Sequence, residues 1–377
     1  MRYDCVIVGG GPAGSTAARI LAGSGLSVVV LEKDRFPRVK PCGGGLTTRS
    51  FQEMGLDLAG HVQHEARTVR VITGPGRITE LEARGTLARV VDRARLDHFL
   101  LEEARRAGAA VFQRTKVGAV ERSAEGFVVL TGSGTYRTPF LIGADGANSI
   151  VNRSLRIVER TEFGKGMVVI LPGDRYQGDP RLTFDFSAVP LGYAWIFPRR
   201  DSLCAGVYTL DRRLEGLSAH LDRFLLKEGY TDHGDIERWA HILPFWGIRY
   251  RQPAFPAILT GDAAGFVDPM SGEGISYAVT SAGIAARAVL EAFQSRSFDP
   301  AALQERYHRE VIRILRVGRR LSRIFYGRKP PLSRIVTSEL ALRIFSLAFL
   351  RGDGYPDIAK RLPGYLAASV LARVLKS

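Results

Sequence analysis

The chain has 377 residues, of which 45% are hydrophobic and 24% charged, and it carries a formal net charge of +15. This length fits two domains of ordinary size. It excludes a small disulfide-stapled protein, because the sequence has only three cysteines. No uncharged apolar run approaches the roughly 18 residues that span a bilayer. A strand is predicted from Tyr3 onward, which leaves no room for a signal peptide, so a cytoplasmic location is expected.

The N-terminal part of the chain predicts alternating strands and helices. An apolar run from Tyr3 enters a glycine-rich turn at 9–14, a helix of small residues follows, and 26–32 return to strand. The β-branched run in this second strand is typical of a strand buried on both faces of a parallel sheet. A further helix is predicted from Arg93 to a stop at Gly108. Short strands are predicted at 116–120, 127–130 and 140–143.

The second part of the chain has a different pattern. From residue 161 to 209 short β-like runs replace the helical spacing, which predicts an antiparallel sheet inserted as a second domain. A helix is predicted over 212–228, a strand over 257–260 and a helix over 274–293. The expected fold class is α/β. We expect a Rossmann-like dinucleotide-binding domain over 1–155 and 250–295, an inserted antiparallel-sheet domain over 156–249, and a basic helical segment over 296–377.

Three glycines and a glutamate form a dinucleotide-binding pattern. Gly9, Gly11 and Gly14 make G-x-G-x-x-G between a predicted strand and a predicted helix. The first glycine permits the tight turn, the second lets a pyrophosphate approach the backbone, and the third lets the helix pack close to the strand. Glu32 ends the second strand 18 residues after Gly14, where a carboxylate can accept both ribose hydroxyls. A glycine-rich surface turn beside a surface glutamate is the alternative.

Two further turns indicate which dinucleotide binds. Asp145 and Asp262 each follow a short apolar strand, and Asp262 can hold a ribityl hydroxyl. The segment 269–275 then opens a helix, whose free amide groups would stabilise an anionic reduced flavin. Two ordinary strand-to-helix turns are the alternative.

Together these segments resemble a known group of proteins. The turns at 9–14, 143–146 and 261–262 are similar to those of FAD proteins with the para-hydroxybenzoate hydroxylase fold. The cysteine-bearing segment 36–46 and the strand 190–198 resemble, more narrowly, the geranylgeranyl reductase family. Tyr208 stands where the pattern of that family has a second glycine.

The resemblance implies FAD as the cofactor. Arg93 suits this role because a guanidinium can bind oxygens with its fork of donors, although a structural arginine on a solvated helix face is the alternative. Cys42 could reach the flavin on a mobile loop, or it could be a small buried hydrophobic residue. The predicted cofactor-binding residues are Gly9, Gly11, Pro12, Ala13, Gly14, Glu32, Lys33, Cys42, Gly43, Gly45, Arg93, Val117, Asp145, Asp262, Gly272, Gly274 and Ile275.

An aromatic strand supplies the predicted substrate pocket. Tyr193, Trp195 and Phe197 alternate along the strand, so their side chains share one face. Core packing is the usual reason for such a stripe. Facing a flavin, the stripe would suit an isoprenoid chain, which offers only shape and apolar surface. Tyr193, as a proton donor, and Cys42 are the candidate catalytic residues.

The implied activity is that of an FAD-dependent oxidoreductase that saturates carbon–carbon double bonds of an isoprenoid chain on a lipid, quinone or pigment. Hydride from the reduced flavin would reach one alkene carbon and a proton the other. An aromatic monooxygenase or halogenase on the same fold is one alternative, although 193–197 is not the Trp-x-Trp-x-Ile strand of halogenases. An electron-transfer flavoprotein dehydrogenase is another. No second G-x-G-x-x-G is present, so the reductant is either NAD(P)H that visits transiently or a reduced donor protein.

The positive charge is concentrated near the C-terminus. Residues 301–377 hold 16 Lys and Arg against 5 Asp and Glu, a net charge of +11. Arginines such as Arg313, Arg316, Arg319, Arg320 and Arg323 could rest on anionic head groups while the Leu and Ile residues between them enter the interface, which predicts a peripheral membrane association. A solvated basic helix is the alternative. Nucleic-acid binding is not expected because no recognition motif accompanies the charge.

The histidines do not indicate a metal site. His61 and His64 have no further ligand residues nearby in the sequence, and the other histidines are scattered. We therefore expect no bound metal.

Overall fold

The computed structural model describes residues 1–83, 85–159, 162–173, 181–230 and 236–326, with single positions between 340 and 364. Of the predicted basic segment 296–377, it describes 296–326 and those single positions, and the rest of the segment lies outside the described residues. None of the helices described here is both long enough and apolar enough to cross a membrane.

The chain divides into two compact units. Unit 1 consists of Met1–Lys40, Arg93–Phe163 and Leu243–Arg316. Unit 2 consists of Pro41–Asp92, Gly164–Ile242 and Val317–Ser377. From the sequence, residues 41–92 are predicted to belong to the dinucleotide-binding domain, and the predicted domain boundaries stay a prediction.

Unit 1 is built on a five-stranded parallel sheet. All residues of the first two strands are buried, as the β-branched run predicts for the centre of such a sheet. In sheet order the strands are β18 (Ala257–Leu259), β12 (Phe140–Gly143), β1 (Cys5–Val8), β2 (Val28–Leu31) and β8 (Ala110–Phe112).

Helices and a small antiparallel sheet complete unit 1. The predicted helices are confirmed, and Gly108 has a φ of +104°, in keeping with its predicted role as a stop. The helices are α1 (Pro12–Gly23), α3 (Arg93–Arg106), α4 (Ile150–Leu155), α6 (Ile275–Ser295) and α7 (Pro300–Tyr307). The small sheet has β9 (Val117–Ser123), β10 (Gly126–Thr131) and β11 (Gly134–Thr138).

The main sheet of unit 2 has seven strands. Those predicted between 161 and 209 are confirmed as an antiparallel sheet. In sheet order the strands are β17 (Trp239–Pro244), β13 (Phe163–Pro172), β16 (Ser202–Thr209), β15 (Gly192–Pro198), β14 (Leu182–Asp185), β5 (Thr68–Gly74) and β6 (Arg77–Glu82).

The sequence analysis predicts no strand between residues 62 and 91. The structure has four strands in this range. Of these, β5 pairs in parallel with β14, and β6 is an edge strand whose residues are largely exposed. A second small sheet joins β3 (Gly45–Thr47), β7 (Ala88–Val91) and β4 (Val62–Ala66), and α2 (Thr48–Glu53) follows β3.

The two faces of this seven-stranded sheet carry different residues. On one face, aliphatic side chains of β13, β15 and β16 pack against α5 (Leu217–Lys227). This helix starts five residues later than predicted, because Gly216 before it adopts the left-handed region with a φ of +63°. The opposite face is aromatic. The last helix with described bounds is α8 (Arg313–Tyr326).

Candidate functional site

The turn between β1 and α1 needs two of its three motif glycines for the fold itself. Gly9 has a φ of +99°, and a Cβ there would lie 2.4 Å from the carbonyl oxygen of Ala144. A Cβ on Gly14 would lie 1.8 Å from the carbonyl oxygen of Gly9. Both glycines therefore serve the close packing of strand, turn and helix.

Gly11 differs, because the protein leaves room for a side chain there. The nearest atom to a Cβ on Gly11 would be Arg38 Nη2, at 3.9 Å. Gly11 also precedes the first turn of α1, where no side chain of the described residues caps the helix. The amide groups of this turn and the space above Gly11 fit a pyrophosphate group lying against the backbone.

Glu32 follows β2 and has 4% of its surface exposed. Its Oε2 accepts a hydrogen bond from the Gly10 N–H at 2.7 Å, and its Oε1 accepts one from the Asp34 N–H at 2.8 Å. These two amides fix the carboxylate and leave lone pairs on both oxygens, as the predicted ribose contact requires. The neighbouring Lys33 is exposed, with its ammonium 3.8 Å from Asp34 Oδ2.

Arginine, lysine and aspartate side chains gather near the glycine turn. Arg93 donates from Nε and Nη2 to the two carboxylate oxygens of Asp97, at 2.8 and 2.9 Å. Arg38 Nη1 lies 3.3 Å from Asp97 Oδ2. Burial lowers the pKa of the Lys40 ammonium; Arg93 and Arg38 lower it further, while Asp262 and Asp97 raise it. Two guanidinium groups around one carboxylate leave a net positive charge, which suits a phosphate.

This cluster corrects and extends the sequence analysis. Arg93 is only 7% exposed, so the alternative of a solvated helix face is wrong. Sequence reasoning missed Asp97, although its spacing of four residues from Arg93 on a helix was a usable signal. It also missed Arg38 and Lys40, which belong to the segment 36–46 that was selected for its cysteine.

Asp262 follows β18 after two further residues, in a turn that lies against two helices. A Cβ on Gly261 would lie 3.1 Å from the Cβ of Ala278 in α6 and 3.4 Å from the Cβ of Ala13 in α1. A Cβ on Gly274 would lie 3.2 Å from Asp262 Oδ1. The predicted ribityl-binding carboxylate, the first turn of α1 and the start of α6 are therefore neighbours in unit 1.

The loop before α6 is ordered by Asp268, which is 2% exposed. This carboxylate accepts hydrogen bonds from the Met270 N–H at 3.0 Å and the Ser271 hydroxyl at 2.7 Å. Gly272 has a φ of +70° and turns the chain toward Gly274, just before Ile275 opens the helix. No side chain in the described part of the chain caps α6, so its first amides can face an anionic group.

Asp145 has a structural task in this unit. Its Oδ2 accepts hydrogen bonds from the N–H groups of Ile150 at 2.6 Å and Val151 at 3.3 Å, at the N-terminus of α4. Burial raises the pKa of this carboxyl, and the hydrogen bonds oppose the rise. Val117 is buried at the start of β9. The cofactor contacts of Asp145 and Val117 stay predictions.

In unit 2, Tyr193, Trp195 and Phe197 share one face of β15, as their alternation predicts. Each is 8% exposed, and the ring centroids of successive members lie 5.9 and 6.1 Å apart. Tyr208 on β16 stands directly opposite Tyr193, with the ring centroids 5.6 Å apart. The half-buried Phe184 lies 5.3 Å from the Phe197 ring and extends the apolar face onto β14. These rings form one apolar surface.

The cysteine-bearing loop lies on this aromatic face. A Cβ on Gly43 or Gly45 would lie 2.9 Å from Phe197 Cε2, so both glycines are needed for the close approach. Cys42 is half-buried, and its Sγ accepts a hydrogen bond from the Gly44 N–H at 3.3 Å. The flavin contacts of Cys42, Gly43 and Gly45 stay predictions.

Within the described residues, no three His, Cys, Asp or Glu side chains come together as a set of metal ligands.

Comparisons with known proteins place this geometry in context. The family model described as an FAD binding domain matches residues 2–174. The chain is 38% identical over 371 residues to an uncharacterized protein of Methanosarcina barkeri, covering 98% of this chain and 96% of that protein. It is 31% identical over 335 residues to a geranylgeranyl diphosphate reductase of Rhodobacter capsulatus, covering 84% and 83%. A solved geranylgeranyl bacteriochlorophyll reductase-like protein from Thermoplasma acidophilum has a TM-score of 0.78 at 24% identity, covering 97% of this chain and 99% of that one, a likeness in fold.

Two glycine variants separate ligand binding from folding. In Gly11→Ala we expect FAD binding to weaken by at least about tenfold, because the methyl group takes the space of a phosphate oxygen. Its φ of −70° suits alanine, so the melting temperature of the apoprotein stays near that of the wild type.

In Gly14→Ala, the contact of the new methyl group with Gly9 costs about 3 kcal/mol of folding stability. FAD fluorescence titration and thermal denaturation of the apoproteins measure both effects, and unchanged FAD affinity in Gly11→Ala contradicts the assignment.

Proposed function

Because the chain belongs to the geranylgeranyl reductase family of FAD-dependent oxidoreductases, we propose that it saturates carbon–carbon double bonds in an isoprenoid chain carried by a lipid, quinone or pigment. The observation that supports the proposal is the aromatic face of unit 2, where the rings of Tyr193, Trp195 and Phe197 form one apolar surface. An isoprenoid chain has no polar groups along its length, so shape and apolar contact are the only means of binding it.

In this proposal the residues of unit 1 bind FAD. The N-terminus of α1 and the guanidinium groups of Arg38 and Arg93 hold the pyrophosphate. Glu32 accepts hydrogen bonds from the ribose hydroxyls, and Asp262 accepts one from a ribityl hydroxyl. The first amides of α6 stabilise negative charge on the flavin ring. Bound and reduced, FAD supplies the hydride that the reaction needs.

In this proposal the residues of unit 2 bind and protonate the isoprenoid substrate. An isolated alkene is a poor hydride acceptor, so a fixed orientation in a water-free pocket must supply much of the barrier reduction. Trp195 and Phe197 are buried and exclude water from the aromatic face. Tyr193 has the one acidic proton among these three side chains, so we assign it the proton that completes the reduction.

The central experiment is carried out under strict anoxia. The FAD-loaded protein is reduced with dithionite, which avoids any choice of natural donor, and is then given a lipid with geranylgeranyl chains. We expect the lipid to gain two hydrogen masses for each bond reduced while the flavin absorbance returns.

A lipid with fully saturated chains is the matched control and leaves the flavin reduced. A product that forms only when oxygen is admitted indicates a monooxygenase or halogenase. Flavin reoxidation by a quinone without any mass gain on a prenyl chain indicates an electron-transfer flavoprotein. Either result rejects the proposal.

Tyr193→Phe tests the proton donor. We expect its rate of alkene reduction to fall by about 100-fold, because a positioned general acid contributes on this scale. FAD affinity and the rate of flavin reduction by dithionite are expected to stay at the wild-type values. Tyr208→Phe removes the facing hydroxyl from the same aromatic face and is the control. An equal loss in both variants contradicts a specific role for Tyr193.

The basic helix α8 supports an electrostatic contact with an anionic membrane. Arg313, Arg320 and Arg323 are exposed on this helix. Ile314 is 8% exposed and Leu315 fully buried, so these two residues do not enter the interface, whereas Ile324 is 36% exposed. The exposed face can attract head groups by charge, and the buried apolar side stabilises the fold instead.

Charge reversal tests this surface. In Arg320→Glu/Arg323→Glu we expect at least about a tenfold loss of binding to vesicles containing phosphatidylglycerol, since each basic residue near such a surface contributes about 1 kcal/mol. Arg212→Glu/Arg213→Glu changes the net charge equally on another exposed segment and keeps the wild-type binding. Cosedimentation at low and high salt measures the effect. Wild-type binding that ignores both salt and anionic lipid overturns the assignment.

A further inference from the structure

Two of the three cysteines lie close together at the aromatic face of unit 2, one in the loop and the other on β16. Cys204 on β16 is fully buried, and its thiol donates a hydrogen bond to the carbonyl oxygen of Cys42 at 3.4 Å. In the sheet, Cys204 pairs with Phe197, the ring against which Gly43 and Gly45 lie. The buried sulfur is therefore in direct contact with the backbone of the other cysteine.

The side chains of Trp195 and Arg199 lie close enough to Cys204 to act on its thiol. Trp195 Nε1 and Arg199 Nε have no hydrogen-bond partner within normal geometry among the described residues. Burial raises the pKa of the Cys204 thiol to about 12, and Arg199 and Trp195 both act to lower it. Donors near a sulfur favour the thiolate, the form that attacks or leaves in disulfide exchange, and here they offset part of the effect of burial.

Cys5 is a useful comparison, because its surroundings differ from those of Cys204. It is fully buried in β1 of unit 1. Burial raises the pKa of its thiol, and the nearby Asp4 raises it further instead of opposing the rise. Cys5 has the surroundings of an ordinary core residue, and Cys204 does not.

We propose that Cys42 and Cys204 form a reversible disulfide bond, which is a redox-sensitive modification site on the loop over the aromatic face. A disulfide requires Cα atoms roughly 4.4–6.8 Å apart. The 3.4 Å contact between the Cys204 sulfur and the Cys42 carbonyl makes the two residues neighbours, and the proposal requires their Cα atoms to come within this range when the bond forms. Cys42 is the half-buried member, so it meets the oxidant first, and Cys204 resolves the product.

The chemistry balances with a small oxidised disulfide as the oxidant. The Cys42 thiolate attacks one sulfur of the oxidant, forms a mixed disulfide and releases one small thiolate. The Cys204 thiolate then attacks the Cys42 sulfur, which forms the protein disulfide and releases the second small thiolate. The two protein thiols lose two electrons and two protons, and the two released thiolates take up the protons. Reaction with a reduced dithiol reverses both steps.

The bond would connect the loop covalently to β16 and remove the free thiol of Cys42. This consequence rests on the proposed function: we expect alkene reduction to fall in the oxidised protein and to return after treatment with a dithiol. Disulfide formation itself is measured without substrate, so failure of the redox site and failure of the proposed function are distinguishable.

The test exposes the FAD-loaded protein to oxidised glutathione, quenches in acid, and alkylates the remaining thiols under denaturing conditions. Intact-mass and peptide analysis are expected to show one alkylated cysteine, Cys5, and a linked pair of peptides containing Cys42 and Cys204. Dithiothreitol is expected to restore all three alkylatable thiols of the chain.

Two variants serve as controls. Cys5→Ala keeps the linked pair and leaves no alkylatable thiol after oxidation. Cys204→Ser stops at a glutathione adduct on Cys42, because the resolving thiol is missing, and its flavin absorbance shows that it has folded. The proposal is overturned if the oxidised wild type carries glutathione on Cys42 with Cys204 still alkylatable, or if all three thiols remain alkylatable.

Discussion

The backbone contact between Gly14 and Gly9 is the constraint on which the cofactor side of the molecule depends. With no Cβ on Gly14, α1 starts directly against the turn that ends β1. This places the helix N-terminus and the open space above Gly11 at the end of the parallel sheet. It also puts the Gly10 N–H 2.7 Å from the Glu32 carboxylate on the next strand. One steric requirement thus positions both the N-terminus of α1 and the Glu32 carboxylate.

The electrostatics around this turn are arranged by the carboxylate of Asp97. Asp97 is fully buried and would be costly to bury alone, but Arg93 and Arg38 compensate its charge. In return Asp97 fixes the directions of both guanidinium groups, which have a large rotamer entropy when free. The cations are therefore in place before any phosphate arrives, and the excess positive charge is what such an anion would neutralise.

Local pattern predicts the elements of this chain but not the partners that lie far apart in sequence. The strand–turn–helix of residues 3–32 and the alternation at 193–197 follow from spacing alone, and both are confirmed. The pairing of β5 with β14 joins segments more than a hundred residues apart, and β6 has too few buried positions to show alternation. In α8 an apolar stripe fits burial in the core as well as it fits a membrane, and only the structure shows burial.

The aromatic face of β15 differs from the opposite face in how it is covered. Both faces of β15 are buried, so burial alone does not distinguish them. The aliphatic face is closed by α5, with Leu221 and Phe224 packed against it as in an ordinary core. The aromatic face instead meets a loop in which Gly43 and Gly45 bring backbone against Phe197. The two faces of β15 therefore differ in what covers them: side chains of a helix pack against one face, and the glycine backbone of a loop lies against the other.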